Sequence, residues 1–105
     1  MAFDLMVGTG WRVKDQPSMV GTIEFDELPQ LSHLLKRQDC FFLHRISNLF
    51  EDQQFSVAEI AQALDQLLPL LTRPMPEAER AMLHKLIAVL AFAQSRRQPL
   101  FGVAD

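Results

Sequence analysis

Residues 56–94 read SVAEIAQALDQLLPLLTRPMPEAERAMLHKLIAVLAFAQ, two amphipathic stretches separated by a proline-rich link. The first opens on Ser56-Val57-Ala58-Glu59, the spacing of a capping box in which serine and glutamate satisfy each other's backbone N–H groups. Helical periodicity then places Val57, Ile60, Ala61, Leu64, Leu67, Leu68 and Leu71 on one face. Pro69 is expected to end or kink this helix, because its ring opposes the carbonyl of Asp65. Pro74 and Pro76 predict an extended link. The second helix, from about Glu77, is apolar on most sides with a narrow polar strip of Arg80, His84 and Ser95. Such a pattern predicts a central helix covered on two sides.

Working outward, Phe3, Leu5 and Val7 alternate with Asp4 and Met6, the period of a half-buried strand. Gly8-Thr9-Gly10 ends it, and residues 8–18 form a polar connection containing Trp11, Arg12, Lys14 and Pro17. A second strand is expected at about Val20 to Phe25, with Gly21, Ile23 and Phe25 on one face and Thr22 and Glu24 on the other. Asp26 reads as the N-cap of a helix carrying Leu28, Leu31, Leu34 and Leu35, with Pro29 in its first turn and Lys36-Arg37 in its last. Asp39 reads as the cap of another, with Phe42, Ile46, Leu49 and Phe50 inward. Residues 51–54, Glu51-Asp52-Gln53-Gln54, read as a polar break. Leu100 to Val103 predicts a third strand returning to the sheet. The expected fold is a single α+β domain over residues 1–105. It has a small two- to three-stranded antiparallel sheet against about four helices, the C-terminal helix central.

The chain has 105 residues, 49% of them hydrophobic, with eight Phe, one Trp and no Tyr. No apolar run approaches the ~18 residues that span a bilayer, and the start Met1-Ala2-Phe3-Asp4 lacks a basic leader. One cysteine, Cys40, precludes an intrachain disulfide and a cysteine-rich metal site. These features predict a cytoplasmic protein with no membrane partner. Residues 1–53 carry eight acids (Asp4, Asp15, Glu24, Asp26, Glu27, Asp39, Glu51, Asp52) against five bases. That balance argues against nucleic acid, whose phosphates need a clustered basic face, and suits a basic protein partner.

Motifs for chemistry are few. Gly8-Thr9-Gly10 lacks the third glycine and following helix of a nucleotide-binding turn. His33, His44 and His84 have no metal-ligand spacing. Cys40 precedes Phe41-Phe42 in an apolar setting, and no serine sits in a nucleophile elbow. A non-catalytic protein with no cofactor and no metal is therefore expected. Trp11 and Arg12 are the types most enriched at interface hot spots. They read as partner-binding anchors beside Lys14, with Glu24, Glu51 and Asp52 steering a basic partner; Trp11 folded back on the sheet end is the competing reading.

The order Phe3-Asp4-Leu5, Ile23-Glu24-Phe25-Asp26-Glu27-Leu28, Phe55-Ser56-Val57-Ala58-Glu59 and Leu100-Phe101-Gly102-Val103-Ala104-Asp105 resembles a class of small bacterial proteins. Some of those accompany secreted antibacterial toxins as immunity factors. The resemblance implies an inhibitor that occludes a cognate toxin, and carries over no functional residue. The alternative is a small homodimeric subunit or adaptor of a bacterial complex, joined through Leu70 and Met75 beside the proline link. A third reading is an enzyme using Asp26, His33 or His44.

Overall fold

The computed structural model describes residues 2–104. Met1, at the start of the chain, and Asp105, the last residue of the closing stretch, lie outside the described residues. The chain is α+β, as its periodicities predict, but the antiparallel sheet has four strands rather than two or three. Strand β1 is Ala2–Val7 and β2 is Ser18–Glu24. Helices α1 (Leu28–Arg37) and α2 (Phe41–Ile46) follow, then β3 (Gln53–Phe55). Helices α3 (Val57–Leu67) and α4 (Glu77–Arg96) precede β4, Leu100–Ala104. The strand order is β2-β1-β4-β3.

Phe3, Leu5 and Val7 face the core from β1, opposite Ile23 and Gly21 on β2 and Ala104, Gly102 and Leu100 on β4. Between Leu5 and Met6 the β1–β2 register shifts, leaving Val20 as an extra residue on β2, a bulge that turns the strand. The helices cover this inner face. Helix α4 is flanked by α1 and α3 and crosses β2, where Val89 lies against Gly21. Phe42 of α2 meets Phe55 of β3, ring centroids 4.8 Å apart.

The Ser56/Glu59 box forms as read: Glu59 N–H donates to Ser56 Oγ at 3.1 Å, and Ser56 N–H to Glu59 Oε1 at 2.9 Å. Pro69 ends α3, and residues 68–72 continue as a 3-10 turn. The buried face of α3 is Ile60, Ala63, Leu64 and Leu67, whereas Val57 and Leu68, expected inward, are exposed at the ends where the helix clears the core. Arg80 fastens the link after α3 by donating to the carbonyls of Leu71 and Arg73.

Two expected caps are absent. Asp39 does not cap α2, whose N-cap is Cys40; its carboxylate instead lies 2.9 Å from His44 Nε2. Asp26 does not cap α1 either. There the Glu27 carboxylate accepts from Glu24 N–H at 2.9 Å, folding Phe25–Glu27 into a 3-10 turn that leads into the helix. The "polar break" at 51–54 contains β3. Gln53 faces inward, and its amide donates to the carbonyls of Arg45 and Asn48 at the end of α2, so a polar residue is tolerated there. Arg45 completes the junction: it donates to Glu59 Oε2 at 2.9 Å and Gln54 O at 2.8 Å, with its guanidinium carbon 4.3 Å from the Phe55 ring centroid.

Candidate functional site

The expected partner-binding residues fall into two groups at opposite ends of the sheet. Trp11, Arg12 and Lys14 sit on the β1–β2 loop, beyond Val7. Glu24 lies at the far end of β2, paired with Ala2, at the end where the Asp52 carboxylate accepts from Ala104 N–H at 2.8 Å. The strands between the two ends are roughly 20 Å long. Trp11 and the steering carboxylates therefore do not share one patch.

The loop is ordered by its own contacts. Arg12 N–H donates to Asp15 Oδ2 at 3.3 Å, Val13–Asp15 form a 3-10 turn, and Gln16 takes a left-handed conformation, φ 48°. Gly10 has no room for a Cβ, because the Asp15 carboxylate fills that space. Trp11 is 40% exposed, with the Arg12 guanidinium 5.9 Å from its ring centroid. Trp11, Arg12, Lys14, Gln54 and Phe101 border one concavity on the outer side of the sheet. Trp11 is thus neither fully exposed nor folded away beneath the sheet end.

At the other end the structure assembles a feature that periodicity misassigned. Phe25 and Phe50, both expected in the core, are 50% and 61% exposed. The Glu24–Glu27 turn breaks strand alternation immediately after Ile23, and swings Phe25 off the inner face. Helix α2 stops at Ile46, and Phe50 N–H donates to Asn48 Oδ1 at 3.3 Å in a tight turn. That turn keeps Leu49 buried and sends Phe50 outward. The two exposed rings meet edge to face, centroids 5.8 Å apart, and with Ala2, Ile23 and Leu49 they border a shallow apolar notch. Flanking them in sequence are Glu24, Asp26, Glu51 and Asp52, all exposed. Among the described residues none of these four carboxylates is in an ion pair. Two acids beside each outward phenylalanine are the signal that could have found the site: one on either side in Glu24-Phe25-Asp26 and both following in Phe50-Glu51-Asp52.

Glu27 has a different task. Burial raises its pKa, but the Glu24 N–H and the Lys85 ammonium, 2.7 Å away, lower it by more, so it titrates below the usual 4.5. A carboxyl depressed on folding stabilises fully above its unfolded value and loses that contribution as pH falls through the folded one. Glu27→Gln is accordingly expected to cost about 1 kcal/mol at pH 7. The gap to the parent should narrow steadily in urea melts run from pH 5 downward; a gap constant to pH 3 would refute the assignment.

The residues considered for catalysis lie in separate settings. His33 Nδ1 is 3.2 Å from Glu79 Oε1, and Arg37 Nε donates to Glu79 Oε2 at 2.8 Å. Glu79, in the first turn of α4, is 7% exposed, so this trio clamps α1 to α4. Glu79 carries no expectation from the sequence, because a lone glutamate in a first turn reads as a favourable helix-end charge. His44 pairs with Asp39, and Asp26 borders the Glu27–Lys85 pair. Cys40 is buried. No group of three metal-ligating side chains is found among the described residues, and no helix among them is long and apolar enough to cross a membrane. Neither a protein-family model, nor a characterised protein, nor a solved structure was found to match this chain.

Proposed function

We propose that the chain is a non-catalytic protein-binding module, an immunity-type inhibitor that acts in the cytoplasm by covering part of a toxin. The observation that carries this reading is the exposed Phe25–Phe50 pair among four carboxylates that form no ion pair with the described residues. Aromatic side chains supply large contact area at small entropic cost, and exposed ones in contact with each other mark interaction surfaces. The carboxylates around them steer a basic partner toward the rings and reject acidic ones. Occlusion requires no further chemistry: the partner packs on the outward faces of Phe25 and Phe50, and its cations meet Glu24, Asp26, Glu51 and Asp52.

The test is titration of the chain with the product of an adjacent toxin-like gene, followed by calorimetry. Phe25→Ala/Phe50→Ala is expected to weaken binding by about 100-fold, the scale of a central hot spot. Glu51→Lys/Asp52→Lys should chiefly slow association and flatten its salt dependence. Retention of parental affinity by the double alanine variant would eliminate this surface.

The second reading, a small homodimeric subunit, does not run through Leu70 and Met75. Leu70 is 1% exposed inside the 3-10 turn, and Met75 packs against the core.

A further inference from the structure

The outer face of the sheet is less polar than an antiparallel sheet facing water requires. Opposite the buried Phe3, Leu5 and Val7, β1 turns Met6 outward; Phe101 of β4 is its cross-strand partner, and Met19 of β2 lies on its other side. Val103 continues the row beside Asp4. Met19 is 57% exposed, and Val13, on the loop bordering this face, is 93% exposed.

Charge on this face is polarised along the strands. Arg12 and Lys14 outnumber Asp15 at the loop end and leave it net basic, while Asp4 and Glu24 lie toward the other. None of Arg12, Lys14, Asp4 and Glu24 is in an ion pair among the described residues. Two copies can meet face to face about a two-fold axis lying in the plane of contact. An axis parallel to the strands would bring basic end to basic end. An axis across the strands brings each copy's Arg12 and Lys14 onto the other's Asp4 and Glu24. The face is therefore self-complementary in one arrangement only.

Edge-to-edge growth is blocked at β2. Lys85 Nζ donates to Thr22 O at 3.1 Å and to Glu27, whose carboxylate also holds Glu24 N–H, so side chains occupy backbone groups a new strand would need. We propose that a second copy of this chain covers the outer sheet face. The two sheets pack with strands antiparallel, the apolar row of Met6, Met19 and Val103 is shared, and Arg12/Lys14 meet Asp4/Glu24 at both ends. This dimer needs only the isolated chain and stands apart from the toxin-binding reading, although Glu24 borders both surfaces.

Four short strands offer roughly 400 Å² per copy from strand length and spacing, about half of a standard interface. The dimer is thus expected in the range of tens of micromolar. Sedimentation equilibrium of the full chain from about 1 to 500 µM should show it, with Kd rising at least about 5-fold in 0.5 M salt. Arg12→Glu/Lys14→Glu and Asp4→Lys/Glu24→Lys should each be monomeric where the parent is dimeric, while an equimolar mixture of the two forms a 1:1 heterodimer. Met19→Lys should abolish the dimer without touching either charged end. Far-ultraviolet circular dichroism verifies that each variant is folded. A parent strictly monomeric at 500 µM overturns the proposal, as does a mixture that stays monomeric, or a dimer indifferent to both charge reversals.

Discussion

Gly102→Ala is expected to destabilise the protein by about 3 kcal/mol, the upper range for overpacking a closed core. Gly102 lies in β4 opposite Leu5 on one side and Gln53 on the other, and the Phe3 ring lies directly over it. A methyl group there would overlap the tip of the ring. Phe3 is fully buried and cannot swing aside without displacing its neighbours on the inner face. Urea melts provide the measurement. The specific check is Phe3→Leu combined with Gly102→Ala: the smaller side chain makes room, so the double variant should recover at least about 1 kcal/mol over the sum of the singles. Strict additivity would mean that the glycine serves some other purpose.

The second large effect is expected at Glu79. Its carboxylate is buried between His33 and Arg37, and neither partner's removal is equivalent to its own. Glu79→Ala leaves the Arg37 guanidinium without its counter-charge and opens a void between α1 and α4, an expected loss of about 2 to 3 kcal/mol. Glu79→Gln retains shape and one acceptor and should cost less, about 1 to 2 kcal/mol. A double-mutant cycle with Arg37→Ala isolates the pair, because the guanidinium also reaches the Pro74 carbonyl. A loss under about 1 kcal/mol for Glu79→Ala would show that water replaces the carboxylate and that the clamp is idle.

Local rules located the elements whose stability is local. The Ser56/Glu59 box, the stop at Pro69 and the strand alternation of Phe3, Leu5 and Val7 each depend on residues a few positions apart, and each is found where the periodicity puts it. Strand β3 was invisible for the opposite reason. Gln53 and Gln54 have little strand preference, and they are extended because β4 offers an open edge and because two carbonyls at the end of α2 accept from the Gln53 amide. None of these partners lies within the reach of a local pattern.

The candidate site shows the same division at finer grain. Phe25 and Phe50 satisfy the inward spacing of the segments before them, so periodicity assigned both to the core. Each escapes because a polar contact stops its element early: Glu27 reaches back to Glu24, and Asn48 turns the chain after α2. Glutamate is not among the usual capping residues, so the local pattern favours Asp26, whereas the Glu27 carboxylate closes the turn by accepting from Glu24 N–H. The charges flanking the rings, in contrast, were plain in the sequence. Their grouping at one end, away from Trp11, Arg12 and Lys14, follows from the β1–β2 connection, which places residue 11 in the loop before β2 and residue 24 at the far end of that strand.

The central strands of the sheet, β1 and β4, join residues 2–7 to residues 100–104. Emerging from the ribosome, the chain exposes β1 and its row of Phe3, Leu5 and Val7 with only β2 to pair. The inner face stays open on one side until β4 arrives roughly a hundred residues later, and β3 has no neighbour to hold it before then. Closure of this sheet is the step with the greatest loop entropy to overcome, and it is expected to set the refolding rate. Until β4 pairs, the apolar face and one edge of β1 are left open, and β4 acts as the latch that closes both.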